Sequence, residues 1–268
     1  MKLSLAQLGA GTDKAANLRL IADSAREAAA DGADLVVFPE FSMYDKKVVD
    51  PTFSLAAEPI DGAFVDGIRT LATELRLTLV VGIVESNPDG NRPFNTLVAI
   101  DPAGSLVARY RKIHLFDSFG FRESDCITPS ASLEPVTFPV GELTVGLMTC
   151  YDLRFPELGR ALADAGAELM LACSSWVPGP GKADQWTVLA RARAIENACY
   201  FAAVSQVPPI SIGRSLLVDP MGGIIGELDE AAATATFDVS RSVVSDARTV
   251  NPSLEHRRYP GWCPPAPA

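Results

Sequence analysis

The 268-residue sequence predicts an α/β fold, a four-layer α-β-β-α sandwich with two similar halves. Segments of strand and helix character alternate along the chain, which calls for sheets covered by helices. Several strands, such as TLVVGIV at 78–84, are apolar without interruption, as strands buried on both faces are. The order of elements also recurs once. Two sheets packed face to face, each with helices outside, accommodate all of this in a single domain over 1–268.

In chain order, SLAQL (4–8) reads as a short strand, a helix follows from about Asp13 to Asp31, and ADLVVF (33–38) is a buried strand with Glu40 directly after it. A helix near Gly62 to Leu75 leads to strand 78–84. NTLVAIDPAGSLVARY (95–110) then forms a hairpin turning at Asp101-Pro102-Ala103-Gly104. The second half repeats this with strand LTVGLM (143–148), helix LGRALADAG (158–166), strand AELMLAC (167–173), helix ADQWTVLARARAIENA (183–198) and strand YFAAVSQV (200–207). It ends in hairpin RSLLVDPMGGIIGEL (214–228), turning at Asp219-Pro220-Met221-Gly222. DGADLVVF pairs with AGAELMLA, and IDPAGSLV with VDPMGGII. The closing segment NPSLEHRRYPGWCPPAPA (251–268) holds five prolines with Tyr259 and Trp262, which bars a regular helix and favours an extended strap over a surface.

A hydrophobic content of 48% supports a large core, and a net charge of −10 argues against binding nucleic acid or anionic lipid, which needs Lys and Arg to neutralise phosphate. A small molecule or a protein is the expected partner. The five cysteines are Cys126, Cys150, Cys173, Cys199 and Cys263. They are odd in number, widely spaced and without a C-x-x-C pair, so they suit neither a disulfide framework nor a zinc site. The two histidines, His114 and His256, are far apart in the chain and offer no metal cluster. The N-terminus lacks a signal peptide's apolar region, and no run approaches the roughly 18 apolar residues a bilayer span needs. These features point to a cytoplasmic protein without metal or cofactor.

Three strand exits deliver reactive groups: Glu40 in FPEF, Lys112 in YRKIHLFD and Cys150 in GLMTCYDLRFPE. Functional groups gather where strand ends meet loops. A thiol, a carboxylate and an ammonium together form a hydrolytic set. The thiol attacks a carbonyl carbon, the carboxylate takes its proton, and the ammonium with the backbone N–H after Cys150 stabilises the oxyanion. The helix start after Cys150 is expected to favour the thiolate. Taken singly, Glu40 reads equally as a solvated loop acid and Lys112 as an edge-strand residue. His114, two residues after Lys112, leaves open a Cys–His hydrolase.

The motifs FPE (38–40), YRKIHLFD (110–117) and TCYDLRFPEL (149–158), in that order, with RARAIEN (191–197) after them, resemble those of the nitrilase, or carbon–nitrogen hydrolase, superfamily over nearly the whole chain. The resemblance implies Glu40 as general base, Lys112 as oxyanion-stabilising cation and Cys150 as nucleophile. It also implies a second glutamate, which FRESD (121–125) supplies as Glu123, a residue that otherwise reads as a surface acid beside Arg122.

CYDLRFPEL is similar to the branch of omega-amidases and deaminated-glutathione amidases, implying a small, acidic carboxamide substrate hydrolysed through a Cys thioester with release of ammonia. Nitrile hydrolysis and a non-catalytic binding role on the same fold are the alternatives. Tyr151, Arg154 and Trp176 are the candidate substrate-binding residues. Arg154 either forks onto a substrate carboxylate or pairs with Asp152 or Glu157, and Trp176 either walls the pocket or belongs to the core. The loop SSWVPGPGKADQW (174–186) departs from the omega-amidase pattern and introduces Lys182. The resemblance also implies a homodimer or higher homo-oligomer, with 251–268 packing at its interface.

Overall fold

The structure is a computed structural model and describes residues 1–259. Its first sheet contains β1 (Lys2–Gln7), β2 (Leu35–Val37), β3 (Thr78–Glu85), β4 (Phe94–Ile100), β5 (Leu106–Arg111) and β12 (Ala233–Asp238). The second contains β6 (Thr137–Val140), β7 (Leu143–Thr149), β8 (Leu169–Ser174), β9 (Tyr200–Ser205), β10 (Leu216–Val218) and β11 (Ile224–Glu227). The strand orders are β12-β1-β2-β3-β4-β5 and β11-β10-β9-β8-β7-β6. In each sheet three parallel strands are followed by an antiparallel hairpin, and one antiparallel strand flanks the first. The recurrence read in the sequence is therefore a recurrence of topology.

The pleat sorts the apolar strands between two cores. Leu35, Val37 and Val80 meet Val145, Leu147, Leu169 and Leu171 between the sheets. Their neighbours Val36, Leu79 and Val81 face outward onto α1 (Lys14–Ala30) and α3 (Ala63–Leu75), where Ile21, Ala25, Phe64 and Ile68 are buried. On the other side α4 (Pro156–Asp164) and α5 (Lys182–Asn197) cover the second sheet with Leu158, Leu162, Trp186 and Ala190. This is the predicted α-β-β-α sandwich. Asp13 caps α1 by accepting from the N–H groups of Ala15 and Ala16 at 2.9 and 3.1 Å.

Four elements lie where the sequence analysis proposed none: α2 (Thr52–Ala56), β6, β12 and α6 (Arg241–Val250). β6 carries Pro139, which an edge strand tolerates. β12 brings the end of the chain back beside β1, in register from Lys2↔Asp238 to Gln7↔Ala233. After α6, Arg257 pairs with Asp164 at the end of α4 at 2.6 Å, and Tyr259 is exposed. Trp262 and the remainder of the expected strap lie outside the described residues. Among the described residues, no helix is long and apolar enough to cross a membrane.

Candidate active site

Glu40, Lys112, Glu123 and Cys150 converge at one end of the seam between the sheets, and all four are buried. Glu40 stands three residues beyond β2 on a turn bonded to β3, with Phe38 N donating to Val80 O at 2.9 Å and Met43 N to Gly82 O at 3.0 Å. The turn passes so close to β3 that a Cβ on Gly82 would lie 2.6 Å from Pro39 O and 2.8 Å from Glu40 Cα. Phe41 takes a left-handed backbone, φ 58°, and Gln206 Nε2 donates to Glu40 O at 2.9 Å. The carboxylate is thus held from both halves of the chain.

Lys112 extends the β4–β5 pairing by one residue, its N–H bonded to Asn95 O at 2.9 Å. Its Nζ donates to Glu40 Oε1 and to Glu123 Oε2, both at 2.8 Å. Asn95 Nδ2 donates to Glu40 Oε1 at 2.6 Å and to Glu123 Oε1 at 3.1 Å, tying the carboxylates together a second time. Phe116 N donates to Glu123 Oε2 at 2.7 Å and Ser175 N to Glu40 Oε2 at 2.7 Å. Glu123 is therefore no surface acid; its neighbour Arg122 pairs with Asp125 instead. Burial favours the neutral form of Lys112, but Glu123 and Glu40 outweigh it and hold the pKa well above the ordinary lysine value. Glu123 is raised by burial and by Glu40, against the opposing pull of Lys112.

Cys150 follows β7 and opens a 3₁₀ turn, Cys150–Arg154, with φ 47°. A left-handed cysteine persists only where its surroundings over-determine it. Here Asp152, fully buried, does so: Oδ2 accepts from Thr149 N at 2.9 Å and Tyr110 OH at 2.6 Å, and Oδ1 accepts from His114 N at 3.1 Å. The His114 ring bonds to Asp152 Oδ1 through Nδ1 at 2.7 Å and stacks on Phe155 with centroids 3.7 Å apart. The chain turns after Lys112 instead of continuing β5, so His114 is committed to Asp152.

The expected thiolate is corrected by the site. Burial and the Glu40 carboxylate push the Cys150 thiol well above its usual value, and Lys112 offsets only part of this. The short 3₁₀ turn does not reverse it. The resting group is a thiol with Sγ 3.8 Å from Ser175 O, and it needs a base before it attacks.

Of the substrate-binding candidates, Arg154 pairs with neither Asp152 nor Glu157. Its Nη2 donates to Gln185 Oε1 at 2.6 Å, and its Nε is buried without a partner among the described residues. Trp176 fills both readings: it is buried, packs on Trp186, donates Nε1–H to Lys182 O at 2.9 Å, and lines the cavity with Tyr151. One cleft opens Glu40, Lys112, Glu123 and Cys150 to a common space. Asp45, absent from the sequence reading, also faces it, bonded through Oδ2 to Ser175 Oγ at 3.0 Å. Asn95, Ser175 and Asp152 were missed as well; only Asp152 carried a signal, its place inside the cysteine motif.

A buried thiol, two buried carboxylates and a buried ammonium thus meet on a double α/β sandwich, the fold and residue set of a hydrolase class that the relatives share by family. The carbon–nitrogen hydrolase family matches residues 2–249, and the chain belongs to that family. It is 41% identical to Hydrolase Rv0480c of Mycobacterium tuberculosis over 264 residues, covering 92% of each chain. It is 36% identical to the deaminated glutathione amidase of Escherichia coli O157:H7 over 245 residues, covering 91% of this chain and 92% of that protein. Nit3 of Saccharomyces cerevisiae, described as a member of branch 10 of the nitrilase superfamily, superposes with a TM-score of 0.85 at 28% identity, covering 97% of both chains.

Proposed function

We propose that the protein is an amidase that hydrolyses the carboxamide of a small acidic acyl group through a thioester on Cys150. The observation that carries this reading is the shared cleft in which Cys150 meets Glu40, Lys112 and Glu123, with Lys112 bridging the carboxylates. The amidase named among its relatives supports amide over nitrile chemistry.

Glu40 accepts the thiol proton as Sγ attacks the amide carbon, and the C–O π electrons move onto oxygen. Lys112 and the Tyr151 N–H stabilise that oxyanion. Glu40 returns the proton to the leaving nitrogen, the C–N bond breaks, and ammonia departs from the acyl-thioester. Water, deprotonated by Glu40, then attacks the thioester and releases the carboxylic acid with the Cys150 thiol restored. Glu123 keeps Lys112 charged and fixed. Arg154, with an unpartnered Nε, reads the acid group of the substrate.

Incubation with dicarboxylic monoamides, deaminated glutathione, neutral amides and nitriles should release ammonia from the acidic amides first. Hydroxylamine should divert product to the hydroxamate, and rapid-quench mass spectrometry should place an acyl adduct on the Cys150 peptide. Full turnover in Cys150→Ala, or an adduct on Cys126, Cys173 or Cys199, would overturn the mechanism.

A further inference from the structure

Ser175 is the first residue beyond β8, where that strand leaves its pairing with β9. Both of its backbone polar groups turn to the reacting residues. Its N–H donates to Glu40 Oε2 at 2.7 Å, and its carbonyl oxygen lies 3.8 Å from Cys150 Sγ. One residue therefore holds the proposed base through one peptide group and the proposed nucleophile through the next. A shift of Ser175 moves the two relative to each other, and misplacement by about 1 Å costs on the order of 100-fold in rate.

Outside the ladder a backbone needs another anchor, and here the side chain supplies it. Ser175 Oγ lies 3.0 Å from Asp45 Oδ2 and 3.0 Å from Ser211 Oγ. Asp45 and Ser211 are both buried and come from opposite halves of the chain. Asp45 is itself fixed: its N–H donates to Gly11 O at 3.0 Å, and its Oδ1 accepts from Lys46 N at 2.8 Å. Among the described residues no cation pairs with it, since the Lys46 ammonium goes to Asp50 at 2.6 Å and Lys112 serves Glu40 and Glu123. Burial and the Glu40 charge favour the neutral Asp45 carboxyl. A neutral acid engages the Ser175 hydroxyl without adding a negative charge beside the base.

We propose that Asp45 is a positioning residue for the reaction: with Ser211 it clamps the Ser175 hydroxyl, and the clamped Ser175 backbone sets the geometry in which the Cys150 thiol proton passes to Glu40. This rests on the amidase reading above and extends it to residues that touch neither the bond formed nor the bond broken. Although Asp45 lines the cleft, its effect runs through Ser175.

Two measurements test it. With succinamate as substrate, Ser175→Ala and Asp45→Ala should each lower kcat about 10- to 100-fold while KM changes by less than about threefold. Asp45→Asn, whose amide still bonds the hydroxyl, should recover most of what Asp45→Ala loses. The double variant Asp45→Ala/Ser175→Ala should be no slower than the slower single variant, because both substitutions remove the same clamp. Independently of turnover, alkylation of Cys150 by iodoacetamide, followed on the Cys150 peptide by mass spectrometry, should slow in the same variants, since the thiol needs its base to react. Wild-type kcat in a folded Ser175→Ala, which deletes a single oxygen, would overturn the proposal even where Asp45→Ala does not fold. Losses that multiply in the double variant, a loss carried by KM, or an Asp45→Asn as slow as Asp45→Ala would overturn it too. A wild type that hydrolyses no amide, yet whose Cys150 alkylation slows in both single variants without multiplying in the double, would leave the clamp standing and remove the amidase reading alone.

Discussion

Lys112 Nζ donates to Glu40 Oε1 at 2.8 Å, and both side chains are buried. The same ammonium donates to Glu123 at 2.8 Å, so one positive charge is shared by two buried carboxylates. The pair positions the proposed base and keeps its neighbouring cation charged through the reaction. It also makes the site intolerant of losing any one member.

Lys112→Met should lower kcat at least about 100-fold, the scale seen when one oxyanion donor is removed. It should also destabilise the fold by about 3–5 kcal/mol, because Glu40 and Glu123 are left as uncompensated buried charges. Without the ammonium, which pulls it down, the folded Glu123 pKa rises further above its unfolded value. The folded state then binds more protons, and stability returns as pH falls. Urea unfolding at pH 5 and pH 8 should show the variant's deficit shrinking at the lower pH; an equal deficit at both would count against the shared charge.

Gly82→Ala should damage activity out of proportion to its size. The added methyl would meet three backbone atoms, Pro39 O at 2.6 Å, Phe41 N at 2.7 Å and Glu40 Cα at 2.8 Å, none of which yields as a flexible side chain does. Overpacking of this kind costs about 1–3 kcal/mol, and the segment displaced is the one that carries Glu40. Steady-state kinetics should show the loss mainly in kcat; wild-type kcat in a folded variant would refute the tight approach.

Asp45 gives a pH signature. Burial raises its pKa well above the ordinary value and Glu40 adds to the rise, against hydrogen bonds from Ser175 and Lys46. Between the unfolded and the folded pKa the native state binds more protons than the unfolded chain, so this group makes stability fall as pH rises through that window. Asp45→Asn removes the slope. Melting temperatures from pH 4 to pH 8 should therefore show the variant gaining on the wild type as pH increases, whereas parallel curves would mean that Asp45 does not hold its proton.

The chain should assemble into at least a dimer. Val188 and Ile195 on α5 are 64% and 45% exposed, and the β10–β11 turn lies beside them, where a Cβ on Gly222 would touch Ile195. Exposed apolar side chains at i and i+7 share one face of α5, which makes that face the candidate interaction surface. Light scattering at micromolar concentration should report a dimer or larger species, and Val188→Glu should shift it toward monomer; a monomeric wild type would remove the expectation.

Much of the fold was legible because it depends on short-range pattern. Continuous apolar runs marked β3 and β8, and Asp-Pro-x-Gly turns marked both hairpins. Strand exits marked Glu40, Lys112 and Cys150 as residues brought out of a core. β12 escaped notice because ATATFD, although it alternates, has alanine at two of its three apolar positions and so carries little hydrophobic signal; it is a strand through its pairing with β1, more than 200 residues earlier in the chain.

The sequence by itself determined the double sandwich and its repeated halves and supplied the thiol, carboxylates and ammonium as candidates, because periodicity and short motifs are local properties of the chain. Tertiary structure alone decided what those groups became. Ser175 reaches Glu40 across 135 positions and Asp45 across 130, and Lys112 reaches Glu40 across 72. Proton affinity depends on desolvation and on charges a few ångströms away, so only the folded site could make Cys150 a neutral thiol and Glu123 a buried partner of Lys112. The same holds for Lys182, which in the sequence is one charge in a loop and in the structure is an ammonium enclosed by three rings beside the nucleophile.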